Sequence, residues 1–127
     1  MPADGEDRAA TAAAQESWSY GRTGIWLIGA RGSVATTAAA GLAAIASGLV
    51  KPQGCVTEHE AFQDVILPGY SDLVVGGHDI SGVGMAKQAE RLVEAGMVPG
   101  HLLESVRAQL LEADLRVRPG YHPAGTP

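Results

Sequence analysis

The sequence predicts an α/β fold, an open and incomplete parallel sheet with helices flanking it. Three observations predict it. A short apolar run, Gly24-Ile25-Trp26-Leu27-Ile28, ends in a small glycine-bearing turn and passes into an alanine-rich segment of helical character. A second unbroken apolar run, Asp72-Leu73-Val74-Val75-Gly76-Gly77, lies further down the chain. Beyond it, two segments carry apolar residues at helical spacing: Met85, Ala86, Ala89, Leu92 and Val93, then Leu102, Leu103, Val106, Leu110 and Leu111.

Taken in order, residues 1–20 are alanine-rich with scattered charge and no apolar period, which predicts a disordered leader. A frayed helix could form around Ala9 to Glu16, and Trp18 and Tyr20 would pack on the edge of the folded part. Gly24 to Ile28 reads as the first strand, its continuous apolar run predicting burial on both faces. Ser33 to about Ser47 is the first helix, stopped at Gly48. Thr57-Glu58-His59-Glu60 fits a capping box and would head a short helix from about Glu58 to Val65. Pro68-Gly69 is a turn, and the second strand follows. His78-Asp79-Ile80-Ser81 then falls at its carboxyl end, where ligands bind in open α/β sheets. Gly96 ends the next helix and Pro99 opens the last one. From Arg116 the chain is rich in proline and glycine. The folded domain is therefore set at residues 21–115, with two strands, and residues 116–127 form a flexible tail. There are no internal repeats.

A chain of 127 residues makes one small domain. Aromatics are only 5% of it while Gly and Ala abound, a composition suited to close packing of helix on sheet. The net charge of -5 argues against a nucleic-acid surface, so a phosphate site must be local, built from backbone N–H groups and one or two arginines. Cys55 is the only cysteine, so no internal disulfide can form, which fits a reducing cytoplasm; it reads as a small buried hydrophobe rather than a nucleophile. The acidic start, Met1 to Asp7, does not fit a signal peptide. Gly32 to Val50 is uncharged and nearly long enough to span a bilayer, but its alanines, serines and threonines give too little transfer energy for a membrane segment. His59, His101 and His122 lack metal-ligand spacing, so no metal site is expected.

The chemistry lies in the turn after the first strand. Glycine lets the backbone turn sharply and lets a pyrophosphate approach without meeting a Cβ. The first N–H groups of the following helix then face the phosphates. This is how a Rossmann-like, doubly wound dinucleotide-binding unit begins, here a partial one. The glycines are Gly29 and Gly32, with Arg31 at the usual second glycine and Ala35 near the third, giving G-x-x-G-x-x-A. On spacing alone, a strand-turn-helix that binds nothing is the competing reading.

Gly29-Ala30-Arg31-Gly32-Ser33-Val34-Ala35-Thr36-Thr37 together with Gly76-Gly77-His78-Asp79-Ile80 resembles the myo-inositol-1-phosphate synthase family. That family has G-x-G-G-N-N-G-S-T after its first strand and G-G-W-D-I after a later one. The resemblance covers roughly Thr23 to Leu115. It implies an NAD-dependent isomerase that converts glucose 6-phosphate to inositol phosphate by oxidation, enolisation, aldol closure and reduction, feeding inositol and phospholipid biosynthesis. It further implies that Gly29, Arg31, Gly32, Ser33 and Val34 hold the NAD pyrophosphate and that Asp79 contacts the cofactor. A cytoplasmic homo-oligomer acting on a sugar phosphate, with no nucleic acid or membrane partner, completes that expectation.

The chain departs from the family pattern at several positions. Ser33 and Val34 replace two asparagines, His78 replaces tryptophan, and Arg31 replaces a glycine. The Arg31 side chain must either point away from the cofactor or grip a phosphate. Asp79 could instead cap the next helix, and His78 is a polar wall residue or a general base. Glu58 could be a ribose-binding acid by spacing, or simply part of its capping box. No catalytic residue is expected in this chain, because Lys51 and Lys87 sit in neither motif. The chain therefore reads as the amino-terminal, inactive piece of a synthase. A piece of another NAD-dependent dehydrogenase and a non-catalytic remnant are the alternatives.

Overall fold

Helices gather on one side of a short parallel sheet, and this one-sidedness shapes the molecule. In the computed structural model, residues 21–121 and 123 are described. The expected leader, with Trp18 and Tyr20, and His122 lie outside the described residues. The order is β1 (Thr23–Ile28), α1 (Ser33–Ala46), three single 3-10 turns, β2 (Leu73–Asp79), α2 (Met85–Glu94), α3 (Gly100–Asp114) and β3 (Val117–Pro119). The strands lie in sequence order, β1-β2-β3, and both pairings are parallel.

The core is made of small side chains. Ala35, Thr36, Ala39, Ala40 and Ala44 form the buried face of α1, and Met85, Ala89, Leu103, Val106 and Leu110 from α2 and α3 close over Val75 and Val117 of the sheet. Alanine on α1 lets its axis come close to its neighbours, so contact density replaces side-chain bulk. α1 closes with Leu49 N–H donating to the Ala44 carbonyl at 2.9 Å, and α2 likewise with Met97 N–H to Leu92, as the glycines at 48 and 96 predict.

Three expectations are corrected. First, β1 is not buried on both faces. Its residues alternate between half-buried and exposed, with Trp26 54% and Ile28 82% exposed. The helix layer covers Ile25 and Leu27, while the opposite face carries no helix from the described residues. Second, no helix forms at Glu58 to Val65. The segment makes two 3-10 turns, Val56–Glu58 and Glu60–Phe62. The capping box does not form; instead the His59 Nδ1 accepts the Ala61 N–H at 3.1 Å. The apolar residues Val56, Val65 and Ile66 remain exposed, so the segment buries too little to stabilise helical turns. Third, the sheet has three strands rather than two. Val117–Pro119, in the segment read as tail, pairs with Gly77–Asp79. Three residues ending in proline are tolerated there because β3 is an edge strand.

Candidate functional site

The carboxyl ends of β1 and β2 meet the glycine turn. Gly29 takes φ +90°, a conformation that strains any residue with a Cβ. That reversal aims the Gly29 and Ala30 N–H groups at the His78 carbonyl, at 2.8 and 3.0 Å. The turn closes with Gly32 N–H on the Gly29 carbonyl at 2.9 Å. Space for it comes from the second motif: a Cβ on Gly77 would collide with the Leu27 carbonyl and stand 2.8 Å from the Ala30 Cβ. One glycine of the second motif therefore exists to admit the turn of the first.

Thr36 N–H makes the first intrahelical bond of α1, to the Gly32 carbonyl. The N–H groups of Ser33, Val34 and Ala35 precede it and have no intrahelical partner. No side chain caps this end and no acid lies in its first turn. Three unused donors at a positive dipole end suit an anion.

Asp79 sits at the same edge. Its Oδ2 accepts the Arg31 backbone N–H at 2.7 Å and its Oδ1 the Ser81 N–H at 2.7 Å. It does not cap the next helix, which starts at Met85 behind Gly84. Burial pushes the carboxyl up, but the N–H groups of Ser81 and Arg31 and the Arg31 charge outweigh it and hold the carboxyl below its usual value. A carboxylate offers about four lone-pair positions, so two bonds leave it able to accept from a sugar hydroxyl. In front of it lies a groove of about 630 Å³ walled by Ile28, Gly29, His78, Asp79, Pro119 and Tyr121.

The Arg31 side chain points away from that groove. Its Nε donates to Asp114 Oδ1 at 2.8 Å and its Nη1 to the Ser81 carbonyl at 2.7 Å. Its own carbonyl accepts from Gln88 Nε2 at 2.9 Å. Of the two options open from the sequence, the structure takes the first. His78 is a wall residue: Trp26 Nε1 donates to its Nδ1 at 3.0 Å. Glu58 is far from the turn, accepting the Tyr70 hydroxyl at 2.9 Å, beside the amino end of β2. The insert between α1 and β2 defeats spacing: the acid at the end of β2 is Asp79, long after the twenty-residue interval used to place a ribose-binding acid.

The structure places Gly29, Gly32, Ser33, Val34 and Asp79, all singled out from the sequence, at one edge. Sequence reasoning missed Asp114, Gln88 and the wall formed by Pro119 and Tyr121. Asp114 carried a signal, since an acid as the last residue of a helix opposes the dipole and implies a partner.

The set fits a dinucleotide: free N–H groups for a pyrophosphate, a side-chain-free approach at Gly29, and an ionised acid in the wall of the groove. Among the described residues, no helix is long and apolar enough to cross a membrane, and no cluster of His, Cys, Asp or Glu could hold a metal ion. No curated protein is a significant match to the chain. Residues 23–120, strand β1 through the end of β3, match the family model described as Myo-inositol-1-phosphate synthase, its NAD-binding part. The match runs through both glycine motifs and covers most of the chain, so the chain belongs to the myo-inositol-1-phosphate synthase family and carries its NAD-binding portion.

Proposed function

We propose that this chain is the cofactor-holding part of an inositol-phosphate synthase, an isomerase that converts glucose 6-phosphate to myo-inositol phosphate. One observation carries the reading: Asp79 of the second motif accepts the N–H of Arg31 in the first, at 2.7 Å, across 48 positions of sequence. Two motifs that mean little separately form one edge. In this reading the N–H groups of Ser33 and Val34 take the pyrophosphate, and Gly29 lets it approach. Asp79 accepts from ribose hydroxyls, and Gly32 and Arg31 hold the turn from beneath. Bound NAD supplies the hydride acceptor and donor; the chain's own groups bind and orient it.

Among the described residues, neither lysine is placed to serve the enolisation. Lys87 is paired with Glu90 at 3.0 Å on the surface of α2, and Lys51 is exposed in the loop after α1. Both are outside the groove, beyond hydrogen-bond reach of a reacting sugar. The chain alone is therefore inactive. Cys55, expected from the sequence to be buried, is half-exposed; as a lone cysteine it fits a cytoplasmic enzyme, and the bare sheet face fits burial against further chain or further copies in a homo-oligomer.

Calorimetry with NAD tests the reading. A few backbone N–H bonds to charged oxygens contribute roughly 1–2 kcal/mol each, and association costs offset much of that, so affinity on the order of millimolar is expected. No binding at tens of millimolar, or measurable inositol phosphate formed from glucose 6-phosphate, would overturn it.

A further inference from the structure

We propose that Asp114 is a positioning residue for the NAD turn, acting through Arg31. The proposal rests on the cofactor reading above and adds a residue from the opposite end of the domain. Asp114 closes α3, where the helix dipole disfavours a carboxylate. It is held there by two donors from other elements. Arg31 Nε reaches its Oδ1 at 2.8 Å, and the Met85 N–H at the start of α2 reaches the same oxygen at 3.3 Å. Gly84 at the cap of α2 has no side chain to satisfy that N–H, so Asp114 caps α2 from α3 while neutralising Arg31.

Arg31 is thereby fixed at both ends. Its guanidinium spans Asp114 and the Ser81 carbonyl, and its peptide is held by Asp79 and Gln88. The amide that orients Asp79 belongs to the residue whose side chain Asp114 anchors. Where the family has a glycine that needs no anchor, this chain has an arginine that would otherwise be free to swing into the groove. Without Asp114, the half-buried guanidinium keeps one carbonyl as partner. Its peptide then shifts, and Asp79 loses the donor that aims its carboxylate.

The experiment compares Asp114→Ala and Asp114→Asn with Glu90→Gln. Glu90 forms an ion pair with Arg107 at 2.9 Å that also joins α2 to α3, and it contacts nothing in the turn. Two readouts are taken on the full chain: hydrogen exchange of the Arg31 amide without cofactor, and NAD titration followed by amide NMR. Asp114→Ala should speed exchange at Arg31 and weaken NAD binding on the order of tenfold. Asp114→Asn, which keeps an acceptor but not the charge, should fall between. Glu90→Gln should leave both within about twofold while lowering overall stability. Unchanged Arg31 exchange in both Asp114 variants, or tighter NAD binding from a freed guanidinium gripping phosphate, overturns the proposal. If Asp114→Ala does not fold, Asp114→Asn decides. Absence of NAD binding by the unaltered chain overturns the cofactor reading instead, and Arg31 exchange then still decides whether Asp114 holds the turn.

Discussion

Trp26 and His78 form a polar pair on the uncovered face of the sheet, the indole N–H donating to the imidazole Nδ1 at 3.0 Å with the rings edge-on, centroids 5.1 Å apart. An indole nitrogen only donates, so Nδ1 must be bare and the proton of neutral His78 sits on Nε2. The residues are cross-strand neighbours offset by two positions, since Trp26 aligns with Gly76 and Ile28 with His78. His78→Ala should move the Trp26 indole N–H resonance sharply and cost about 0.5 kcal/mol, the low end for an exposed bond. An unchanged indole resonance would show that the bond does not form in solution.

Asp79 sets an acid limit on stability. Its folded carboxyl lies below its unfolded value, since N–H bonds and Arg31 outweigh burial. A depressed acid contributes stability that is complete above the unfolded value and is lost as pH falls through the folded one. Denaturation midpoints should therefore decline from about pH 4 downward. Asp79→Asn should flatten that decline and abolish NAD binding. A variant with the same acid profile as the parent would show that other carboxylates carry the effect.

Thr36 is fully buried, and its Oγ1 is the buried side-chain polar atom, among the described residues, with no hydrogen-bond partner. Thr36→Val keeps the shape and removes an unsatisfied hydroxyl. Urea unfolding should show a gain of about 1 kcal/mol. A loss of similar size would mean that the hydroxyl has a partner in solution.

Gly77→Ala should be among the most damaging single-methyl changes in the chain. The new Cβ meets the Leu27 carbonyl and the Ala30 side chain, so strand β2 or the turn must move. Overpacking of this kind costs about 1–3 kcal/mol. Because the obstruction lies under the turn, NAD binding should fall together with stability. Gly24→Ala, with open space around it, is the control and should leave the turn intact.

These particulars also show what the sequence made legible. β1, the turn, α1 and the two later helices were readable because each is specified locally, by an apolar run, a glycine or a helical stripe. Asp79 at the turn was readable because two parallel strands must end at one edge. β3 was not, since Val117-Arg118-Pro119 becomes a strand only by pairing with Gly77–Asp79. The exposure of Trp26 and Ile28 was not, because an apolar run does not say whether one face or two will be covered. Thr57 and Glu60 matched a cap whose helix had nothing to pack on. The direction of Arg31 was undecidable without Asp114, 83 positions away.

β3 is joined to the sheet over only three register positions, Val117 to Pro119, and Gly120 N–H reaches the Asp79 carbonyl at 2.8 Å. Segments tied by so few bonds separate from a native structure at a small fraction of the global unfolding free energy. Yet Pro119 and Tyr121 form one wall of the groove. The wall at Pro119 and Tyr121 thus hangs on a short edge strand, while the opposite wall, at Gly29, belongs to a turn held by two N–H bonds to the His78 carbonyl. Entry and exit of a long, two-part ligand then require only local fraying of one chain segment. A ligand lodged against both walls would in return slow that fraying and protect the β3 amides from exchange.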